Sequence, residues 1–234
     1  MKKVAISQSN YIPWKGYFDA INEVDEFMLF DDMQYTKRDW RNRNKIKTKE
    51  GAKWLTVPVE VKGKYFQKIN ETLISDPKWG QDHWNSILHN YNKAPFFKDY
   101  KDIFEPLYLA SQEDHLSLVN YNFIKAICEI LGITTKISWS SAFELKEDRN
   151  ERLVDLCMKT GATDYYSGPA AKAYMDVSLF EKENIQVHYY DYSGYPVYNQ
   201  LHGEFDHAVS ILDLLFCEGP ESKKYMKTFV ENEK

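Results

Sequence analysis

Two carboxylates and an amide, Asp31, Asp32 and Gln34, stand at the end of a short apolar run and directly before a strongly basic segment. From Thr36 to Lys49 the chain carries seven cations (Lys37, Arg38, Arg41, Arg43, Lys45, Lys47 and Lys49) and one anion, Asp39. Guanidinium forks match phosphate and carboxylate oxygens two at a time. Arg41 and Arg43, beside Asn42 and Asn44, therefore point to a phosphorylated small molecule, with Lys47 as a further contact. A solvated cationic loop is the plain alternative. Asp31 and Asp32 can orient an amine and accept its proton, hold Mg²⁺ through water, or merely pair with Arg41 or Arg43. Upstream, Gln8, Ser9, Asn10, Tyr11 and Trp14 form a dense polar and amphipathic set. They either bind an acceptor through neutral hydrogen bonds or pack a surface turn.

Other chemistries find less support. Gly16 would let an anion approach the start of a helix, yet neither GxGxxG nor GxxxxGK[ST] occurs. His202, Glu204, Asp206 and His207 lie close together without a zinc spacing. His83 and His89 do not share a helix face. The tyrosines from Tyr189 to Tyr198 could line a sugar site or simply fill a strand and turn. Cys128, Cys157 and Cys217 are scattered through apolar contexts and read as buried thiols.

The elements that must position these residues follow from patterning. Val4–Ser7, Glu26–Phe30, Trp54–Val59, Thr135–Trp139, Thr163–Ser167 and Ile185–Tyr190 read as strands. Helices are expected over Tyr17–Val24, from an Asp76-Pro77 start to about Asn92, and over Leu116–Leu131, where apolar residues recur at three and four. Two more are expected, from an Asn150 cap to Gly161 and near Ser210–Cys217. Strands separated by helix-length segments predict one α/β domain over residues 1–234, with a mainly parallel open sheet and a helical insertion at about 77–130. In such a sheet ligands sit beyond the carboxyl ends of the strands. That rule gives priority to Gln8–Gly16, Asp31–Arg43 and Ser138–Ser141.

Composition narrows the function classes. The 234 residues are 43% hydrophobic and 28% charged with a formal net charge of −5, which excludes a disordered or collagen-like chain. The acidic balance disfavours long nucleic acid as a partner, although Trp40 within the basic segment permits base stacking. No apolar run approaches a membrane span, and the Met1-Lys2-Lys3 start lacks an apolar continuation, so a cytoplasmic protein is expected.

Several motifs together resemble the WbqC-like family of bacterial proteins. They are Gln8-x-Asn10-Tyr11-x-Pro13-Trp14-x-Gly16-Tyr17-Phe18, Asp31-Asp32-x-Gln34-Tyr35, Arg43-Asn44 and Trp54-Leu55-Thr56-Val57-Pro58. In the later half they continue with Glu151-Arg152-Leu153, Gly161-Ala162-Thr163, Tyr166-Ser167-Gly168, Tyr195-Pro196-x-Tyr198-x-Gln200 and Ser210–Phe216. Ser9 replaces a proline often found after the first glutamine. The resemblance implies a transferase of surface-polysaccharide (O-antigen, lipopolysaccharide) biosynthesis that joins an amino acid such as glycine to a nucleotide-linked amino sugar. A non-catalytic sugar-nucleotide-binding component and a glycosyltransferase are the alternatives. The resemblance carries over no catalytic residue set; the reading of the residues themselves gives catalytic roles to Asp31, Asp32 and Gln34. Substrate binding falls to Gln8, Asn10, Tyr11, Trp14, Arg41, Arg43, Asn44 and Lys47.

The N-terminal strand, loop and helix are also similar to the HIGH-type (Rossmann-like) nucleotide-binding fold of carboxylate-activating synthetases. Trp14-Lys15-Gly16-Tyr17 takes roughly the place of His-x-Gly-His, with both histidines missing and no KMSKS-like segment. Those absences remove the groups such enzymes aim at ATP phosphates, so activation by ATP with Mg²⁺, by an aminoacyl-tRNA or by a carrier protein stays open.

Overall fold

Five short runs, nearly continuously buried in the three central strands, build the main sheet in the computed structural model, which describes residues 1–231. In chain order the elements are β1 (Lys3–Ser7), α1 (Lys15–Asn22), β2 (Glu26–Leu29), β3 (Arg43–Thr48), β4 (Gly51–Thr56), α2 (Trp79–Tyr91), α3 (Phe97–Leu109) and α4 (Leu116–Leu131). There follow β5 (Lys136–Trp139), α5 (Arg149–Thr160), β6 (Asp164–Ser167), α6 (Val177–Lys182), β7 (Gln186–Tyr189), α7 (Ile211–Glu218) and α8 (Lys227–Glu231). The main sheet runs β5-β2-β1-β6-β7 with every pairing parallel. The chain builds outward from β1 to β2 and β5, then crosses back to β6 and β7. The strand order therefore reverses between β1 and β6, and the crevice beyond their carboxyl ends is the switch point of an open α/β sheet.

Successive side chains of a strand point to opposite faces, and the sheet divides its core accordingly. Ala5, Phe27 and Leu29 face a large apolar cluster with α1, α2, α3, α4 and α7. Val4, Ile6, Met28 and Tyr165 face a much smaller one built on Leu153, Leu156 and Cys157 of α5 and Phe180 of α6. The three cysteines are buried free thiols.

Local sequence explains the helix ends. Gly132 (φ 65°) and Gly161 (φ 70°) close α4 and α5 in the left-handed region that glycine enters without penalty. Ser210 caps α7 through the backbone N–H of Leu212.

The structure corrects four expectations. Residues 43–48, read as basic loop, form β3, which pairs antiparallel with β4 in a separate two-stranded hairpin. Trp54–Thr56 thus belongs to that hairpin and not to the main sheet. Asp148, not Asn150, caps α5, accepting from the backbone N–H groups of Asn150 and Glu151 at 2.9 Å each. Asp76 lies two residues before the cap position of α2, which Lys78 occupies, and its carboxylate accepts from the N–H of Lys78. Segment 77–130 holds α2, α3 and α4, and α4 itself is the crossover from β2 toward β5.

Candidate functional site

The loops after β1, β2 and β6, together with the first turn of α5, enclose a cavity of about 390 Å³ at the switch point. Gln8 comes from the first loop, Met33 and Arg41 from the second, and Ser167, Gly168 and Tyr174 from the end of β6 onward. Arg149 and Arg152 close it from α5. Three guanidinium groups thus border one cavity, and no carboxylate lines it.

Each arginine is aimed by its neighbours. Arg41 donates to the Asn10 side-chain carbonyl, with Asp39 3.8 Å from its other terminal nitrogen. Arg152 donates to the carbonyls of Lys146 and Glu147 and lies 3.3 Å from the Met33 sulfur. The guanidinium of Arg149 lies 3.3 Å from the centre of the Tyr174 ring, a cation–π arrangement. Cations in the first turn of a helix oppose the helix dipole. Arg149 and Arg152 therefore gain nothing from the dipole, and what holds them is the Tyr174 ring for one and the carbonyls of Lys146 and Glu147 for the other.

A second cavity of about 330 Å³ lies next to this one. Its walls are Pro13, Trp14, Trp40, Asn44, Tyr192 and His207, with Asn10 at its edge. Since Asn10 lines this cavity and Arg41 lines the other, their hydrogen bond forms the partition between the two. Trp14 meets Tyr192 and Tyr195 edge-on at ring separations of 5.3 and 5.4 Å. A Cβ on Gly16 would fall 2.3 Å from the Trp14 indole. Glycine is thus needed there to seat the tryptophan. Burial and the nearby Lys15 ammonium lower the pKa of His207, so its imidazole is neutral at pH 7.

The other residues singled out from the sequence are dispersed. Tyr11 is fully buried, with its hydroxyl 2.8 Å from His83 Nδ1 and 3.2 Å from the Tyr108 hydroxyl; it is a core residue. Asn44 is buried and donates to the carbonyls of Tyr11 and Ile12 at 3.3 and 2.9 Å. It thereby pins Ile12 at φ 35°, a strained conformation for a β-branched side chain. Arg43 turns away from Arg41, donating to the Arg38 carbonyl and lying 4.2 Å over the Trp54 ring. Lys47 is buried, and its ammonium donates to the Glu204 carbonyl.

The carboxylates are also engaged. Asp31 is only 1% exposed and accepts from the Ser9 N–H at 2.8 Å and from the Ser117 hydroxyl. Burial raises its pKa, although those two hydrogen bonds pull the other way. Asp32 accepts from Ser140 at 2.5 Å and Asn70 at 3.2 Å, with the Lys68 ammonium 4.0 Å away. Gln34 donates to the Tyr65 carbonyl at 2.8 Å. The structure thus gathers Gln8 and Arg41 at one cavity and Asn10, Trp14 and Asn44 at its neighbour. It leaves Tyr11, Arg43 and Lys47 outside both, and Asp31 and Asp32 brace the loops from behind. Among the described residues no group of three or more His, Cys, Asp or Glu side chains could hold a metal ion. No helix of the described residues is long and apolar enough to cross a membrane.

Arg149, Arg152, Trp40 and His207 were not among the site residues expected from sequence. A signal existed for the arginines. The first turn of a crossover helix lies at the carboxyl end of a parallel sheet, so cations there are placed at the switch point.

Comparison with known proteins agrees with the motifs. The model of the WbqC-like protein family matches residues 8–225. A Mycobacterium tuberculosis protein described as "Uncharacterized protein Rv1507c" is 52% identical over 227 residues, covering 97% of this chain and 98% of that protein. No solved structure matches the chain. The chain belongs to the WbqC-like protein family.

Proposed function

We propose that this WbqC-like protein binds a nucleotide-linked amino sugar at the switch point and acylates the sugar's amine with an amino acid, as a transferase of surface-polysaccharide biosynthesis. The observation that carries the reading is the cavity beyond β1 and β6, with Arg41, Arg149 and Arg152 on its walls and no carboxylate among them. Such a site suits a diphosphate, whose oxygens guanidinium groups bind in pairs. The aromatic cavity across the Asn10–Arg41 hydrogen bond suits a sugar ring or base against Trp14, Trp40 and Tyr192.

Amide formation requires an unprotonated amine and a base to take its proton. Asp31 and Asp32 line neither cavity, so the proton goes instead to His207, a neutral imidazole bordering the aromatic cavity. The amine nitrogen attacks the activated carbonyl carbon and a C–N bond forms; as the resulting oxyanion re-forms C=O, the bond from that carbon to the activating group breaks and the group leaves with that bond's electron pair. If ATP activates the carboxylate, Mg²⁺ accompanies its phosphates. Calorimetric titration with dTDP-linked and UDP-linked sugars tests binding. Incubation with a dTDP-amino sugar, glycine and ATP, followed by mass spectrometry, tests transfer. Absence of nucleotide-sugar binding at millimolar concentration would overturn the whole reading.

A second reading is non-catalytic sugar-nucleotide binding, favoured by the engagement of both carboxylates in bracing hydrogen bonds. It is distinguished by ligand-induced stabilisation without turnover for any acyl donor.

A further inference from the structure

The most anomalous part of the surface lies outside both cavities. Tyr65 and Phe66, adjacent in a short loop after the hairpin, are 75% and 82% exposed. Their rings meet edge-on at 4.9 Å, so each is the other's aromatic neighbour while both project outward. The exposed tryptophans differ: Trp40 and Trp54 lie 5.4 Å apart, and Arg43 covers Trp54. Tyr65 and Phe66 have no such cover. Burial of apolar surface is the main favourable term in association, so two rings left in water at one point mark a contact surface.

The loop that carries them is held in place. Its backbone is tied by Gln34, which donates to the Tyr65 carbonyl at 2.8 Å, and by Gln67, which donates to the Glu60 carbonyl at 2.7 Å. The Tyr35 N–H donates to the Gln67 carbonyl at 2.9 Å. The rings are thus presented by a framework already formed, with little ordering left to pay on binding.

The charge around them is mostly positive. Residues 61–68 contain Lys62, Lys64 and Lys68 and no acid. Lys37 shares a cavity wall with Lys64 and Tyr65, and Arg38 follows it in sequence. The nearest acids are engaged: Glu60 pairs with Lys64 at 2.5 Å, Asp32 lies 4.0 Å from the Lys68 ammonium, Glu71 accepts from the Lys68 N–H at 2.9 Å, and Asp39 accepts from Thr36 at 2.7 Å. Aromatic rings that settle at the headgroup level, ringed by lysines in a molecule of net charge −5, match the chemistry of an anionic lipid surface.

We propose that the Tyr65–Phe66 loop docks the protein on an anionic membrane surface, the two rings entering the headgroup layer and Lys37, Lys62 and Lys64 facing lipid phosphates. Docking there sets the switch-point cavity close to the membrane. Met33 lines that cavity, and the next residue, Gln34, holds the Tyr65 carbonyl. This reading is independent of the catalytic one.

Co-sedimentation of the full chain with vesicles tests it. At low salt the protein should pellet with vesicles of equal parts phosphatidylglycerol and phosphatidylcholine and remain in solution with phosphatidylcholine alone. The double variant Tyr65→Ser, Phe66→Ser should lose about tenfold or more of that affinity, and so should Lys62→Glu with Lys64→Glu. Phe66→Trp should show a blue-shifted emission only with the anionic vesicles. Unchanged melting temperatures keep a folding defect from imitating these losses. The proposal is overturned if the wild type stays in solution with anionic vesicles, if both vesicle types bind it equally, or if the variants pellet as well as the wild type. It is equally overturned if the loop variants abolish self-association of the chain while no vesicle binding occurs.

Discussion

Arg149 and Asp31 illustrate two ways a charged residue serves a site. Arg149 rests on the Tyr174 ring without the backbone tethers that hold Arg152. Arg149→Ala should therefore lower nucleotide-sugar affinity about tenfold, a loss of ~1.4 kcal/mol, with little change in melting temperature. Isothermal titration and a thermal melt read the two effects separately. Asp31 acts from behind the loops, and its variants should divide. Asp31→Ala strands the Ser9 N–H and the Ser117 hydroxyl, costing about 1–3 kcal/mol. Asp31→Asn can keep both partners by accepting from one and donating to the other. Burial raises the folded-state pKa of Asp31, so between its unfolded and folded values the native state holds more protons, and its contribution to stability falls as pH rises. At neutral pH the buried charge is a cost, which Asp31→Asn removes. Retained ligand binding and near-native stability in Asp31→Asn are expected; a catalytic base would give complete loss of turnover instead.

At the scale of elements, the packing of α2 on α3 sets a sharp constraint. A Cβ on Gly80 would lie 2.0 Å from the Tyr108 carbonyl oxygen. Gly→Ala in an exposed helix interior gains about 1 kcal/mol, but here the helices must separate, and Gly80→Ala should destabilise by about 1–3 kcal/mol. A chemical denaturation curve decides the sign.

The same helix carries His83, whose pKa burial lowers from 6.5 to about 4. Its Nε2–H donates to the Thr56 carbonyl at 3.2 Å, and its Nδ1 accepts from Tyr11. The unfolded chain takes up this proton first as pH falls. The contribution is complete above 6.5 and is lost as pH drops toward 4. Melting temperatures between pH 7 and pH 5 should fall more in the wild type than in His83→Gln.

The sequence made the strands and caps of the main sheet readable wherever apolar residues dominate, as in Val4–Ser7 and at Gly132 and Gly161. It hid β3, because Arg43–Thr48 offers Ile46 as its one apolar side chain and its cations advertise a loop. Pro95 and Pro106 likewise obscured α3, which accommodates Pro106 inside its length. Side-chain direction was the least legible property. Nothing local distinguishes Arg41, which faces a cavity, from Arg43 two residues on, which turns to Trp54 across the hairpin. Tyr11 follows three polar residues, Gln8, Ser9 and Asn10, yet long-range packing on α2 and α3 buries it completely.

Across the whole molecule, the two faces of the sheet are unequally supported. One cluster draws on five helices and the hairpin, while the other rests on α5, α6 and a few strand residues. Opening free energy follows buried apolar contact, so α5 and α6 should exchange amide hydrogens faster than α4 and α7, as mass-resolved exchange can show. Equal protection of α5 and α4 would contradict this. The switch-point cavity takes Gln8 and Arg41 from loops that the larger cluster supports, and Arg149 and Arg152 from the thinner layer. A bound phosphate would pin one to the other.

Warming without ligand should therefore disable capture before the chain as a whole melts. The weaker wall gives way first, and the guanidinium trio disperses while far-ultraviolet dichroism still reports an intact protein. Heat sensitivity of binding and heat sensitivity of the fold would be two separate properties of the same 234 residues.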